Sequence, residues 1–113
     1  MKMKSKWKLF LDEKSEKRSE KILDKVSSLL GRDIRKEKVK KSPQTGGYVV
    51  MFEVKMESSR WNDAVVEVIE LGQRIGEGWT LNGSVKQDLQ GWSNRPSGAA
   101  GIISISWILS EEK

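Results

Sequence analysis

The residue types that carry most enzyme chemistry are missing from this chain of 113 residues. It contains no cysteine and no histidine, which excludes disulfides, thiolate metal ligands and nucleophiles activated by imidazole. Paired carboxylates remain as a cofactor-independent route to acid–base catalysis. Asp63, Glu67 and Glu70 have helical spacing, but such acids usually form the solvated side of a helix. We therefore predict a non-enzymatic protein with no catalytic residue, no metal ligand and no cofactor.

Three glycines, in the pattern Gly72-x-x-x-Gly76-x-Gly78, have the composition of a phosphate-binding loop. They follow a predicted helix and precede a predicted strand. A phosphate loop needs the opposite order, because its glycines must open a helix whose N–H groups face the phosphate. We therefore interpret these glycines as a helix stop followed by a tight turn.

Basic residues are concentrated in the first part of the chain. Residues 1–44 carry 15 basic and 7 acidic side chains, whereas residues 45–113 carry 6 basic and 9 acidic ones. A cationic half indicates either an anionic partner or a solvated surface that maintains solubility. The anionic partners to consider are nucleic acid, an acidic protein surface and a membrane surface.

A lysine-rich segment, 34–41, is predicted to form an edge strand, since lysines along an edge discourage unwanted strand pairing. Facing an acidic partner, its lysines would form an electrostatic rim that raises the association rate more than the affinity. The residues of this predicted rim are Lys36, Lys38, Lys40 and Lys41.

Tryptophan is unusually frequent, with five residues against two phenylalanines and one tyrosine. Trp7, Trp79 and Trp107 are in phase with apolar neighbours, which predicts core positions. Trp92 instead lies in a polar, glycine-rich segment beside Asn94 and Arg95. Because tryptophan and arginine are enriched among binding hot spots, these three residues are the predicted contact loop. The alternative is that Trp92 covers the core as a lid.

Hydrophobic periodicity predicts the order strand, helix, strand, strand, helix, strand, strand. The strands are predicted at 6–11, 34–41, 48–56, 79–85 and 102–109. The first helix has Asp12 and Ser15 as candidate caps and ends at Gly31, and the second ends at Gly76 and Gly78. The first helix carries one apolar stripe, formed by Ile22, Leu23, Val26, Leu29 and Leu30. This order resembles the ferredoxin-like split βαβ plan with one added strand. It predicts an α+β fold in which both helices cover one face of an antiparallel sheet of about four to five strands.

The whole chain, 1–113, is predicted to be one domain with frayed ends at 1–5 and 110–113. The segment 86–101 is long for a connection, which indicates either a functional loop or a further strand. The uncovered sheet face is expected to carry mixed apolar and polar side chains, and it could close a homodimer. Its predicted residues are Phe10, Val49, Met51, Ser104, Ser106 and Ile108.

No apolar run reaches the length of a membrane span or of a signal peptide, which predicts a cytoplasmic protein with no membrane partner. The composition favours a small binding module that acts stoichiometrically on a protein, with an acidic surface as one option. Its most concrete version is an inhibitor or immunity-type protein that neutralises a toxin or enzyme. The alternative is a nucleic-acid-binding domain that uses the lysine-rich half, although residues 48–54 lack the motif of a base-stacking RNA-binding strand.

Overall fold

The computed structural model describes residues 2–44, 46–84 and 88–112, which form eight strands and two helices. In chain order they are β1 (Lys2–Leu11), α1 (Glu16–Leu30), β2 (Arg35–Lys41), β3 (Tyr48–Lys55), α2 (Trp61–Gln73), β4 (Gly76–Glu77), β5 (Thr80–Ser84), β6 (Asp88–Ser93), β7 (Arg95–Pro96) and β8 (Ile102–Glu112).

Six of the strands form one antiparallel sheet in the order β2-β3-β1-β8-β6-β5, and β4 and β7 form a separate two-stranded sheet. The fold is α+β, but the prediction of a ferredoxin-like sheet of four to five strands is wrong. The reason is the hairpin of β5 and β6, which adds two strands beyond β8 and makes β8 an interior strand.

The segment 86–101 supplies most of this difference. Its residues 88–93 form β6 and residues 95–96 form β7, while residues 86 and 87 lie outside the described residues. The strand prediction for this segment is therefore the correct one of the two. The sequence predicts fraying at both ends of the chain, but residues 2–4 pair with residues 110–112, and Ser5 pairs with Leu109, at the ends of β1 and β8. Residues 1 and 113 are not described.

Helix α1 has the boundaries that its sequence predicts. The Ser15 side chain accepts a hydrogen bond from the Arg18 N–H at 3.4 Å, which caps the first turn. Gly31 ends the helix with a left-handed φ of 66°, a conformation that glycine adopts without steric cost. The buried stripe of Leu23, Val26 and Leu30 faces the sheet core, which confirms the apolar periodicity.

The centre of the core is aromatic. The ring of Trp7 stacks on Phe52 at 5.9 Å between centroids and contacts Trp79 and Trp107 at 6.3 and 6.4 Å. Trp7 and Trp107 are fully buried and Trp79 is half-buried, which confirms their predicted core positions. Because aromatic pairs at these distances are favourable beyond their buried area, this cluster holds Trp79, and with it the segment between β4 and β5, against the sheet.

Candidate functional site

Strand alternation divides the central strand β1 into two chemically different sides. Trp7, Leu9 and Leu11 are buried beneath the helices, and the residues that alternate with them, Lys6, Lys8 and Phe10, project to the opposite side. We call that opposite side of the six-stranded sheet the open face. Lys4, Lys6 and Lys8 form a line on it with a spacing of roughly 7 Å between neighbours. The middle of the open face is therefore cationic.

Cross-strand register shows which side chains share the open face. In one row, Lys8 lies between Met51 of β3 and Ser106 of β8, and Ser106 is followed by Trp92 of β6. In the next row, Lys6 lies between Glu53 and Ile108. The residues predicted from the sequence for the uncovered face all lie on it: Phe10, Val49, Met51, Ser104, Ser106 and Ile108.

A cleft of about 390 Å³ crosses these two rows. It is bordered by exposed lysines and by three large apolar side chains, Met51, Trp92 and Ile108. Trp92 is 47% exposed and Ile108 is 43% exposed. The remaining side chains that line the open-face part of the cleft are Lys6, Lys8, Glu37, Asn82, Gln90 and Ser106. We call this feature the Trp92 cleft.

Positive charge dominates the half of the open face formed by β1, β2 and β3, all of whose residues the structure describes. Two acidic residues, Glu37 and Glu53, stand on this part of the face, and Glu53 is buried. The basic residues there are Lys2, Lys4, Lys6, Lys8, Arg35, Lys38, Lys40 and Lys55. This excess attracts anionic groups to the Trp92 cleft.

The predicted lysine rim is divided between the two sides of the sheet. Lys38 and Lys40 oppose Met51 and Val49, so they lie on the open face. Lys36 opposes Phe52 on the other side and reaches α1, where its Nζ lies 2.8 Å from Oε1 of Glu20. The hydrogen bond and charge of Glu20 raise the pKa of Lys36 above its usual value.

The register of Lys41 also places it away from the open face. Lys41 opposes Tyr48, one position beyond the pair of Lys40 and Val49. Successive strand residues point to opposite faces, so Lys41 lies on the helix-bearing side with Lys36. Of the predicted rim, only Lys38 and Lys40 share the open face with the Trp92 cleft, and neither of them lines it.

The predicted contact loop is mostly strand. Trp92 belongs to β6, so its placement in a loop is wrong, and it is exposed rather than a lid over the core. Asn94 is exposed between β6 and β7. Arg95 lies in β7, where its Nη2 is 3.6 Å from Oε2 of Glu77. The structure therefore brings Trp92 to the cleft, but neither Asn94 nor Arg95 lines it.

Lys6, Lys8 and Glu37 are site residues that the sequence reasoning did not select. The signal for the two lysines is present in the sequence, because they alternate with Trp7 and Leu9 on β1. Glu37 has no such signal. Its position depends on a register shift between Lys36 and Lys38 on β2.

Glu67, predicted to be solvated, is buried and serves the structure of the fold. Its Oε2 accepts hydrogen bonds from Arg32 Nη1 at 2.6 Å and from the Glu57 N–H at 2.8 Å, and its Oε1 accepts one from the Ser58 N–H at 2.9 Å. Burial by itself raises the pKa of Glu67, but these hydrogen bonds outweigh it and hold the pKa below its usual value. The carboxylate thus fixes the turn before α2 rather than forming an acid–base pair.

Within residues 2–44, 46–84 and 88–112, no group of three or more acidic residues is arranged to hold a metal ion. In the same part of the chain, neither helix combines the length and apolar character needed to span a membrane. No protein family matches the sequence, and no curated protein or solved structure shows significant similarity to it.

Proposed function

We propose that this protein is a non-enzymatic, cytoplasmic binding module whose open face forms a stoichiometric complex with an acidic protein surface. Its most concrete version is an inhibitor or immunity-type protein that neutralises a toxin or enzyme. The observation that carries this proposal is the Trp92 cleft, where an exposed tryptophan stands beside two lysines of the central strand.

The position of Trp92 on a strand favours a protein contact. β6 is hydrogen-bonded on both sides, to β5 and to β8, so binding does not require a loop to become ordered. Trp92, Met51 and Ile108 give a partner apolar area in the middle of the cleft. Apolar area within a charged border is the usual anatomy of a protein interface.

The surrounding charge selects the type of partner. Lys6 and Lys8 attract acidic surfaces, which raises the association rate and disfavours basic partners. The same charge opposes self-association through the open face, because a two-fold dimer would bring two cationic surfaces together. A homodimer, which the sequence leaves open, is therefore disfavoured at this face.

Nucleic acid is the second candidate, and one observation supports it. The lysine line of β1 and the Trp92 ring share one face, so phosphates and a stacked base could be bound together. Glu37 and Glu53 repel any anion on this face, so they do not separate the two candidates. The apolar area of Met51 and Ile108 beside Trp92 does, because a protein side chain buries it whereas a phosphate backbone leaves it exposed. We therefore favour the acidic protein.

The proposal is tested with two charge-reversal variants of equal charge. The first, Lys6→Glu with Lys8→Glu, reverses the cleft. The control, Lys17→Glu with Lys21→Glu, reverses two exposed lysines of α1. Proteins captured by the wild type and by the control, but not by the cleft variant, are purified and titrated against the protein by calorimetry.

We expect one such protein to bind with one-to-one stoichiometry and the cleft variant to bind it at least about tenfold more weakly. If no captured protein depends on the cleft, the proposal is refuted. If an oligonucleotide binds through the cleft with a steep loss of affinity at higher salt, the nucleic-acid candidate replaces it.

A further inference from the structure

Glu37 owes its position to an irregularity in β2. The pairing of β2 with β3 shifts register between Lys36, which opposes Phe52, and Lys38, which opposes Met51. Glu37 is the extra residue at this bulge and has no counterpart on β3. Bulges of this kind redirect a side chain, and here Glu37 borders the Trp92 cleft. Among the described residues that line the cleft, Glu37 is the one acid.

The Glu37 carboxylate is directed toward the central strand. Its Oε2 lies 4.0 Å from Nζ of Lys6, although β3 separates the two strands. Both side chains keep substantial solvent contact, at 35% exposure for Glu37 and 52% for Lys6. Such an exposed pair at this distance is weak and screened by water, so an incoming anion can displace Glu37 at little cost.

We propose that Glu37 occupies the place of a partner carboxylate and competes with it for Lys6. This inference rests on the proposed function and specifies the partner's chemistry. The partner presents an acidic side chain that pairs with Lys6 and, next to it, an apolar side chain that contacts Trp92. A partner with both groups recovers the loss of the Glu37 contact through apolar burial. A polyanion that binds by charge alone has no such apolar contact to offset the loss. Glu37 therefore selects partners that carry both an acidic and an apolar side chain over simple polyanions.

The inference is tested with labelled poly-L-glutamate as the probe, its binding followed by fluorescence anisotropy at low salt. The variant Glu37→Gln removes the competitor. The control Glu70→Gln makes the same charge change at an exposed position of α2. We expect Glu37→Gln to bind the probe about two- to fivefold more tightly than Glu70→Gln does, the size of one exposed charge pair. In a Lys6→Gln background this gain should disappear.

A second measurement uses the free protein, so it does not depend on the probe. The quenching of Trp92 is isolated by comparison with a Trp92→Phe variant. We expect iodide to quench Trp92 more strongly after Glu37→Gln than after Glu70→Gln, since iodide is an anion drawn to the uncovered lysine. Quenching by neutral acrylamide should stay the same in both variants.

The outcomes separate this inference from the proposed function. If Glu37→Gln matches Glu70→Gln in both measurements while Lys6→Gln weakens probe binding, Glu37 does not compete and the open face still binds acidic groups. If Lys6→Gln leaves probe binding unchanged, or if no variant binds the probe, the charge argument for the proposed function fails with it.

Discussion

Replacing Gly91 with alanine tests whether Trp107 is fixed beneath the Trp92 cleft. Gly91 neighbours Trp92 on β6 but faces the helix-bearing side of the sheet. A Cβ added there would lie 2.6 Å from both Cε2 and Cζ2 of Trp107 and 2.9 Å from its Nε1. These separations are far below van der Waals contact, so the indole ring or the strand must move.

The surroundings of Trp107 leave the ring little room to move. On α2, a Cβ added to Gly72 would already lie 3.3 Å from Nε1 of Trp107. The rings of Trp7 and Trp79 lie at centroid distances of 6.4 and 6.3 Å. Overpacking a core costs about 1–3 kcal/mol, and we expect Gly91→Ala to reach about 3 kcal/mol. For a domain of this size that lowers the melting temperature by about 10 °C or more.

The matched control is Gly98→Ala. A Cβ there would lie 2.7 Å from Cδ1 of Leu29, which is a similar distance, but that atom is the end of a half-buried side chain that can rotate. We expect a loss of about 1 kcal/mol or less. Urea denaturation, monitored by tryptophan fluorescence, measures the loss of unfolding free energy in both variants. Equal losses for the two variants, or a loss below about 0.5 kcal/mol for Gly91→Ala, would show that Trp107 is not confined.

Three further predictions concern individual contacts. Hydrogen bonds hold the pKa of Glu67 lower in the folded protein than in the unfolded chain. The ionised Glu67 carboxylate therefore stabilises the fold above its pKa in the unfolded chain, and this stabilisation is lost as the pH falls through its pKa in the folded protein. The free energy of unfolding of Glu67→Gln should therefore vary less below about pH 5 than that of the wild type, and at pH 7 it should be about 1–3 kcal/mol lower; identical acid unfolding profiles would contradict this. Ser5→Ala removes the oxygen that accepts the Trp7 Nε1–H at 2.7 Å within the core, and we expect urea denaturation to show a loss of about 1–3 kcal/mol. Trp92→Ala should change the free energy of unfolding by less than about 1 kcal/mol, while calorimetry should show that the purified partner binds about tenfold or more weakly. If this variant unfolds instead, Trp92 is a core residue.

The sequence predicted the elements whose residues repeat with a clear period. Alternation on β1 separated Trp7 from its neighbouring lysines, and the stripe of α1 gave its buried side and its end at Gly31. The same reasoning left β6 open between a loop and a strand, because its inward positions include Gly91 rather than a large apolar residue. The volume missing at Gly91 is supplied by Trp107 from β8. Compensation between strands leaves no trace in the sequence of either strand alone.

The sequence did not predict the Trp92 cleft for a related reason, because the cleft joins two features that lie far apart along the chain. Charge in the first half indicated a lysine rim, and Trp92 in the second half indicated a separate contact loop. Periodicity assigns a face to each strand but not the neighbours of that strand. Only the sheet order, in which β8 lies between β1 and β6, places Lys8 and Trp92 in the same row. The bulge of β2 then adds Glu37 to that row's cleft and leaves Lys36 on the other side. The chemistry of the face is therefore a property of strand order and register, and variants that shift the β2 register should alter binding without removing any charge.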